Sequence, residues 1–361
     1  MGAELVVASD ALATGVTTRR ELGRSYVKLH QNIYVRRGTE LTPTDRARAA
    51  WLWSGRRAIL VGHSAAAMLG SKWIPDDAPA ELGRLRRPGA RGITVRSGLI
   101  RDDEIRQVDG IRCTTVDRTA YDLGRQLPLD TAIARIDALL NATGCPRDRV
   151  EVLASRYSGA RGIRRLRSAL ALVDAGAESP QETRLRLLLV RAGLQPITQI
   201  WVGRRRIDMG YPEYLVGVEY DGEHHWTDPK EYANDIERLE YLVNAGWLIV
   251  RVSARQLRYD PAGVVERARR ALQSRGYNAD RTVVYGPTRD SCSRKCARRR
   301  RSVRIEPASR FLAELTSLDH PQQQWRRSVV RVLQLVVHRV RDQFHGVQPD
   351  EIGQPQRTHR V

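Results

Sequence analysis

Residues 204–226, RRRIDMGYPEYLVGVEYDGEHHW, carry Asp208, Glu219, Asp221, His224 and His225 in one short span. The apolar run in YLVGVEYDG reads as a buried or half-buried β-strand. Acids inside such a strand need compensation, because removing a carboxylate from water is costly unless it is paired. Alternation places Leu215, Gly217, Glu219 and Asp221 on one face and Val216, Val218 and Tyr220 on the other. Glu219 and Asp221 then lie ~7 Å apart on the same side. Asp208 sits on the preceding strand, and the short GYPEY connection lets it come alongside. Three converging carboxylates repel one another unless a cation intervenes. Hard oxygen donors without thiols suit Mg²⁺ or Mn²⁺, so Asp208, Glu219 and Asp221 are expected to hold such an ion. A metal in that position would polarise a phosphodiester and activate a water against it. The competing reading is a ladder of ion pairs with Arg204, Arg205, Arg206 and Arg251.

The elements that would carry these residues follow from local signals. SPQETRLRLLLVRAG predicts a helix with Ser179 as N-cap, Pro180 at its first position and Gly193 past its end. Glu182 stands three residues after Ser179 and can complete a capping box there. PITQIWV and RRIDMGY flank the turn Gly203–Arg204 as two strands, and YLVGVEYDG is a third. DPKEYANDIERLEYLVNAG predicts a second helix closed by Gly246, WLIVRVS a fourth strand and PAGVVERARRALQSRG a last helix. The order is α-β-β-β-α-β-α over residues 178–276, the size of one domain. On the second helix Asp235 and Arg238 stand at i, i+3 and can pair.

The whole chain is basic: 61 Lys and Arg oppose 41 Asp and Glu, a net charge of +20 in 361 residues. That surplus predicts attraction to a polyanion, nucleic acid ahead of an anionic membrane. No run of apolar residues reaches the ~18 needed to span a membrane, and the start lacks a secretion-signal pattern. Four scattered cysteines make no disulfide framework, so a cytoplasmic setting is expected.

Upstream, residues 1–75 predict a winged-helix-like DNA-binding segment or, equally by pattern, a small helical bundle with a solvated Arg face. Thr18 caps a helix with Glu21 three residues on, and an extended NIYVRRG follows, so Thr18, Arg19 and Arg20 would face phosphates or base edges. Residues 76–176 read as mixed α/β, with the amphipathic helix PLDTAIARIDALLNATG and no catalytic constellation; His63 reads as packed or capping. Residues 287–361 form a basic tail, expected to be largely disordered around one amphipathic helix. Cys292 and Cys296 lack a second ligand pair at zinc spacing.

SPQETRLR, RRIDM, VEYDGEHHW and DIERLEYLVNAGWLIVRVS, in this order, resemble the PD-(D/E)xK nuclease superfamily over about residues 178–256. More closely, they resemble the very-short-patch-repair (Vsr) type of endonuclease domain. The resemblance implies an α/β restriction-endonuclease-like fold and a Mg²⁺-dependent phosphodiesterase core. In it Asp208 and Glu219 would be metal ligands, and Glu182 a further acid assisting the site. Asp221 and His225 match the D-G-x-x-H element. The superfamily's E-x-K reads E-Y-D here, so the lysine that orients water is absent; His225, with His224 second, takes that role in this reading. Arg238 in D-x-x-R could contact a phosphate. GVTTRRELGRSYVKLHQNIYVRRG and VDGIRCTTVDRTAYDLGR resemble the AbiEi-type antitoxin and regulator module over roughly residues 1–140. That likeness implies DNA as partner and a further protein partner in a toxin–antitoxin-like setting. The expected activity is metal-dependent DNA hydrolysis; the alternative is a non-catalytic DNA-binding regulator on a degenerate nuclease fold.

Overall fold

The computed structural model describes residues 2–86, 88–222 and 229–278, without the side chains of 229–232. The chain opens with β1 (Leu5–Val7), α1 (Ala8–Ala13), α2 (Arg19–Ser25), β2 (Tyr26–His30) and β3 (Ile33–Arg36). The strands form an antiparallel sheet in the order β1-β3-β2. Thr18 caps α2 as expected, its hydroxyl accepting the Glu21 N–H at 3.2 Å. The Glu21 carboxylate turns instead to the Thr17 hydroxyl, so no reciprocal bond to Thr18 forms.

Next come α3 (Pro43–Trp53), β4 (Ile59–Leu60), α4 (Gly62–Met68), β5 (Ala80–Gly83), β6 (Ile93–Arg96), β7 (Ile105–Val108) and β8 (Ile111–Thr114). They build a five-stranded sheet in the order β6-β5-β4-β8-β7. Its central strand lies upstream of residue 76, the boundary expected for this region. Two apolar residues carry no periodicity, so β4 could not be seen as a strand in the sequence. His63 does act near a helix start, its backbone N–H donating to buried Glu81 at 2.7 Å. Four helices follow: α5 (Val116–Gln126), α6 (Leu129–Thr143), α7 (Arg147–Arg156) and α8 (Ile163–Leu170). Their core gathers Tyr121, Ile133, Ile136, Leu139 and Leu166, all essentially inaccessible.

The last described region comprises α9 (Pro180–Arg191), β9 (Ile197–Val202), β10 (Arg205–Tyr211), β11 (Val216–Asp221), α10 (Pro229–Asn244), β12 (Leu248–Ser253), α11 (Ala254–Tyr259) and α12 (Pro261–Gln273). The sheet runs β12-β11-β10-β9, antiparallel except for the parallel pair β11–β12 that α10 connects. One face packs Val216, Val218, Val250 and Val252 with Leu185 of α9 and Ala268 of α12. The other packs Ile207 and Ile200 with Leu242 of α10 and Trp247. Two details differ from expectation. Leu215 does not belong to the strand: its φ of +50° closes a 3₁₀ turn, Pro212–Tyr214, and β11 begins one residue later. The short α11 was not expected; a capping box between Ser253 and Gln256 starts it directly off β12.

Helices α6 and α9 join the second and third regions. Asp137 of α6 is fully buried and accepts from Arg186 Nη2 and Thr183 Oγ1 of α9, both at 2.9 Å, and from the Asp174 N–H at 2.8 Å.

Candidate functional site

The third sheet changes character at Asp208. Ile207 packs on the α10 side and Met209 on the α9 and α12 side, so Asp208 between them belongs to neither core. Strands β10 and β11 pair over Met209–Tyr211 and Val216–Val218. Just beyond, Asp208 Oδ2 accepts the Tyr220 N–H at 3.0 Å. Burial, reinforced by the charges of Glu182 and Glu219, pushes its carboxyl from the usual 3.8 up to about 7. The Tyr220 N–H and Arg238 pull the other way without restoring it.

Glu182 reaches this point from the first turn of α9. Its amide donates to Ser179 Oγ at 3.1 Å, as the cap predicts. Its carboxylate accepts the Glu178 N–H at 2.9 Å, so the reciprocal half of the capping box falls one residue early. Burial raises this carboxyl as well, with the charge of Glu178 adding to it and Arg206 opposing.

Glu219 and Asp221 have different company. Glu219, 4% exposed, is held by both arms of Arg238, Nη1 to Oε1 at 2.5 Å and Nη2 to Oε2 at 2.9 Å. Arg238 also pairs with Asp235 at 2.8 Å, the i, i+3 couple expected on α10. Arg251 then bridges Asp235 at 3.0 Å and Asp221 at 2.9 Å. The result is a continuous chain Glu219–Arg238–Asp235–Arg251–Asp221. Glu219 and Asp235 hold the Arg238 proton well above the guanidinium's ordinary range. Asp208, Glu219 and Asp221 line one cleft, with Glu219 and Asp221 each engaged by an arginine. Among the described residues no three His, Cys, Asp or Glu side chains are grouped so that they could hold a metal. The reason is topological: α10 lays Arg238 over Glu219, and the β11–β12 register sets Arg251 beside Glu219 and close to Asp221.

The donors that remain uncompensated are Asp208 and Glu182. Neither makes an ion pair among the described residues, and each is a half-buried hard-oxygen donor raised above its usual range. That pair fits Mg²⁺ or Mn²⁺ in chemistry. His224 and His225 lie outside the described residues, as do Cys292, Cys296 and the basic tail. Thr18, Arg19 and Arg20 are all exposed at the start of α2. A cleft of about 390 Å³ opens over Asp208, Glu219 and Asp221, rimmed by Trp201 and the three arginines Arg204, Arg205 and Arg206. Sequence reasoning passed over Trp201, which lines this cleft, and Glu178, which pairs with Arg206 of its rim. An aromatic residue three positions before an arginine triplet was the available signal.

Residues 182–272 match the REase_MTES_1575 family, which is restriction-endonuclease-like, and residues 60–172 match the family described as the AbiEi antitoxin C-terminal domain. Two curated proteins, from two strains of Mycobacterium tuberculosis and each named only as uncharacterized, are 30% identical over 178 residues. Those matches cover 46% of this chain and 64% of each relative, so the chain spans less than two thirds of their length. No solved structure matches. The chain thus joins an AbiEi-type domain to a restriction-endonuclease-like domain. No helix among the described residues is long and apolar enough to cross a membrane.

Proposed function

We propose that the cleft over Asp208 hydrolyses DNA phosphodiester bonds with a divalent metal ion. The observation that carries this reading is the Asp208 carboxyl, half-buried beside the charges of Glu182 and Glu219 and without an ion pair among the described residues. Such a group is costly as an anion until a positive charge arrives. Asp208 and Glu182 would hold Mg²⁺ or Mn²⁺. Bound there, the ion supplies a Lewis acid that polarises the phosphodiester and lowers the pKa of a water. Glu219 would join the site on exchanging Arg238, whose guanidinium is then free for a phosphate oxygen. Asp221 keeps Arg251 in place at the cleft. His225, by its position in the D-G-x-x-H element, would accept the proton of the attacking water. Thr18, Arg19 and Arg20 would bring the winged-helix-like segment onto the DNA backbone, independently of the cleft.

A second reading is a non-catalytic DNA-binding regulator, consistent with the AbiEi-type domain and a toxin–antitoxin setting. The arginines on Glu219 and Asp221 favour it, because they neutralise two of the three expected ligands. Nicking of supercoiled plasmid separates the readings. Cleavage that needs Mg²⁺ or Mn²⁺ and disappears in Asp208→Ala and Glu182→Ala supports hydrolysis. DNA binding that is indifferent to chelator and to both substitutions, with no nicking, supports the regulator.

A further inference from the structure

The rim of the cleft holds a group of side chains for which the hydrolytic centre has no use. Trp201 on β9 leaves 42% of its surface exposed, its ring open to a partner at the cleft. The Arg206 guanidinium lies 5.9 Å from its ring centroid. Glu178 grips Arg206 through both terminal nitrogens, at 2.7 and 2.6 Å, so this backing is fixed in place. The adjoining turn is equally fixed: Gly203 has φ +56°, and a Cβ there would sit 2.1 Å from the Tyr241 hydroxyl. That turn presents Arg204, which has no ion-pair partner among the described residues, and Arg205, whose nearest acid is Glu237 at 4.0 Å. Arg204, unpaired among the described residues, and Arg205, held only at 4.0 Å by Glu237, therefore stand beside a backed aromatic plate at the mouth of the cleft.

We propose that the β9–β10 hairpin is a binding site for single-stranded DNA, with Trp201 stacking on an unpaired base and Arg204 and Arg205 holding phosphates of the same strand. This rests on the reading of the cleft as the place where DNA is cut. Arginine forks suit phosphate oxygens, and an exposed ring accepts any base face. Base faces are hidden in an intact duplex, so such a platform selects a single-stranded or locally opened segment. The strand held there leads directly toward Asp208.

The test uses the full chain in chelator and an oligonucleotide carrying 2-aminopurine, single-stranded or annealed to its complement. The single strand should be quenched on binding by the unmodified protein and by Trp201→Phe. Trp201→Ala should lose the quench and bind about tenfold more weakly. The double variant Arg204→Ala/Arg205→Ala should flatten the plot of log affinity against log salt by about 1.4, two phosphates' share on a single strand. Quenching that persists in Trp201→Ala, or that is equal for the duplex, overturns the proposal. Plasmid nicking with Mg²⁺ is run on the same preparations. Nicking without Trp201-dependent quenching sinks the strand site and leaves the hydrolytic reading standing. Quenching that needs Trp201, without nicking, sinks the hydrolytic reading and leaves the strand site.

Discussion

Asp137 is fully buried and Asp208 half-buried, and desolvation pushes both carboxyls up to about 7, yet the two aspartates have opposite surroundings. Asp137, between α6 and α9, has three donors, one of them a guanidinium at 2.9 Å. Asp208 has one backbone N–H and two neighbouring acids. The first is a completed clamp, in which every neighbour favours the anion against the cost of burial. The second is incomplete, because the charges of Glu182 and Glu219 raise the cost of ionising it by more than Arg238 lowers it. Burial alone therefore does not distinguish a structural acid from a functional one; the sign of the surrounding charge does.

The comparison predicts opposite responses to substitution, and the largest belongs to the clamp. Asp137→Ala leaves Arg186 buried without its partner, at a cost of ~3–5 kcal/mol. Chemical denaturation should show this loss with or without Mg²⁺; a loss below 1 kcal/mol would mean that α6 and α9 do not depend on the clamp. Asp208→Asn should instead leave the metal-free protein as stable as before or more so. It should cut metal-dependent nicking by about 100-fold or more, given that loss of even an outer partner of a metal site costs up to that much. A less stable Asp208→Asn protein, or one that nicks normally, would break the contrast.

The pH dependence sharpens the same contrast. A carboxyl raised in the folded state keeps its proton where the unfolded chain has lost it. Between 3.8 and about 7 the folded protein therefore binds more protons, and stability falls as pH rises. Both aspartates contribute in this direction, so metal-free melting temperatures should be lower at pH 8 than at pH 5. Added Mg²⁺ should recover the difference through Asp208 alone, since a ligand that binds only the folded state stabilises it. Asp208→Asn should abolish the recovery and Asp137→Asn should keep it. Equal recovery in both variants would place the ion elsewhere.

What was legible in the sequence is what local chemistry decides. Ser179, Pro180 and Gly193 mark α9 because capping acts within a few residues, and Gly246 closes the α10 segment for the same reason. The β10–β11 pairing and the place of Asp208 followed from alternation and a short connection. The arginine chain across Glu219, Asp235 and Asp221 was legible only in part. The Asp235–Arg238 couple followed from its spacing, and Arg251 stood as a rival partner for the acids. But Arg238 meets Glu219 only through a helix crossing, and Arg251 meets Asp221 and Asp235 only through a parallel register and that crossing. Asp137 gave no signal either, being one acid on an ordinary amphipathic helix whose partners lie 46 and 49 residues away. Leu215 misled because strand alternation continues through it in the letters, while its backbone turns left-handed.

Helix α9 connects the two aspartates, carrying Thr183 and Arg186 toward Asp137 and Glu182 toward Asp208. Its N-cap is therefore where the smallest informative perturbation can be made. Ser179→Ala removes the acceptor of the Glu182 N–H and should cost ~1 kcal/mol of stability, as loss of a serine cap does. The Glu182 carboxylate keeps its bond to the Glu178 N–H, and the clamp on Asp137 keeps the helix in register. Metal affinity measured by calorimetry should then stay within about twofold, whereas Glu182→Gln should lower it by about 10-fold or more. If Ser179→Ala lowers affinity as far as Glu182→Gln does, the cap rather than the clamp positions Glu182, and the site depends on the first turn of α9 more than on its anchorage to α6.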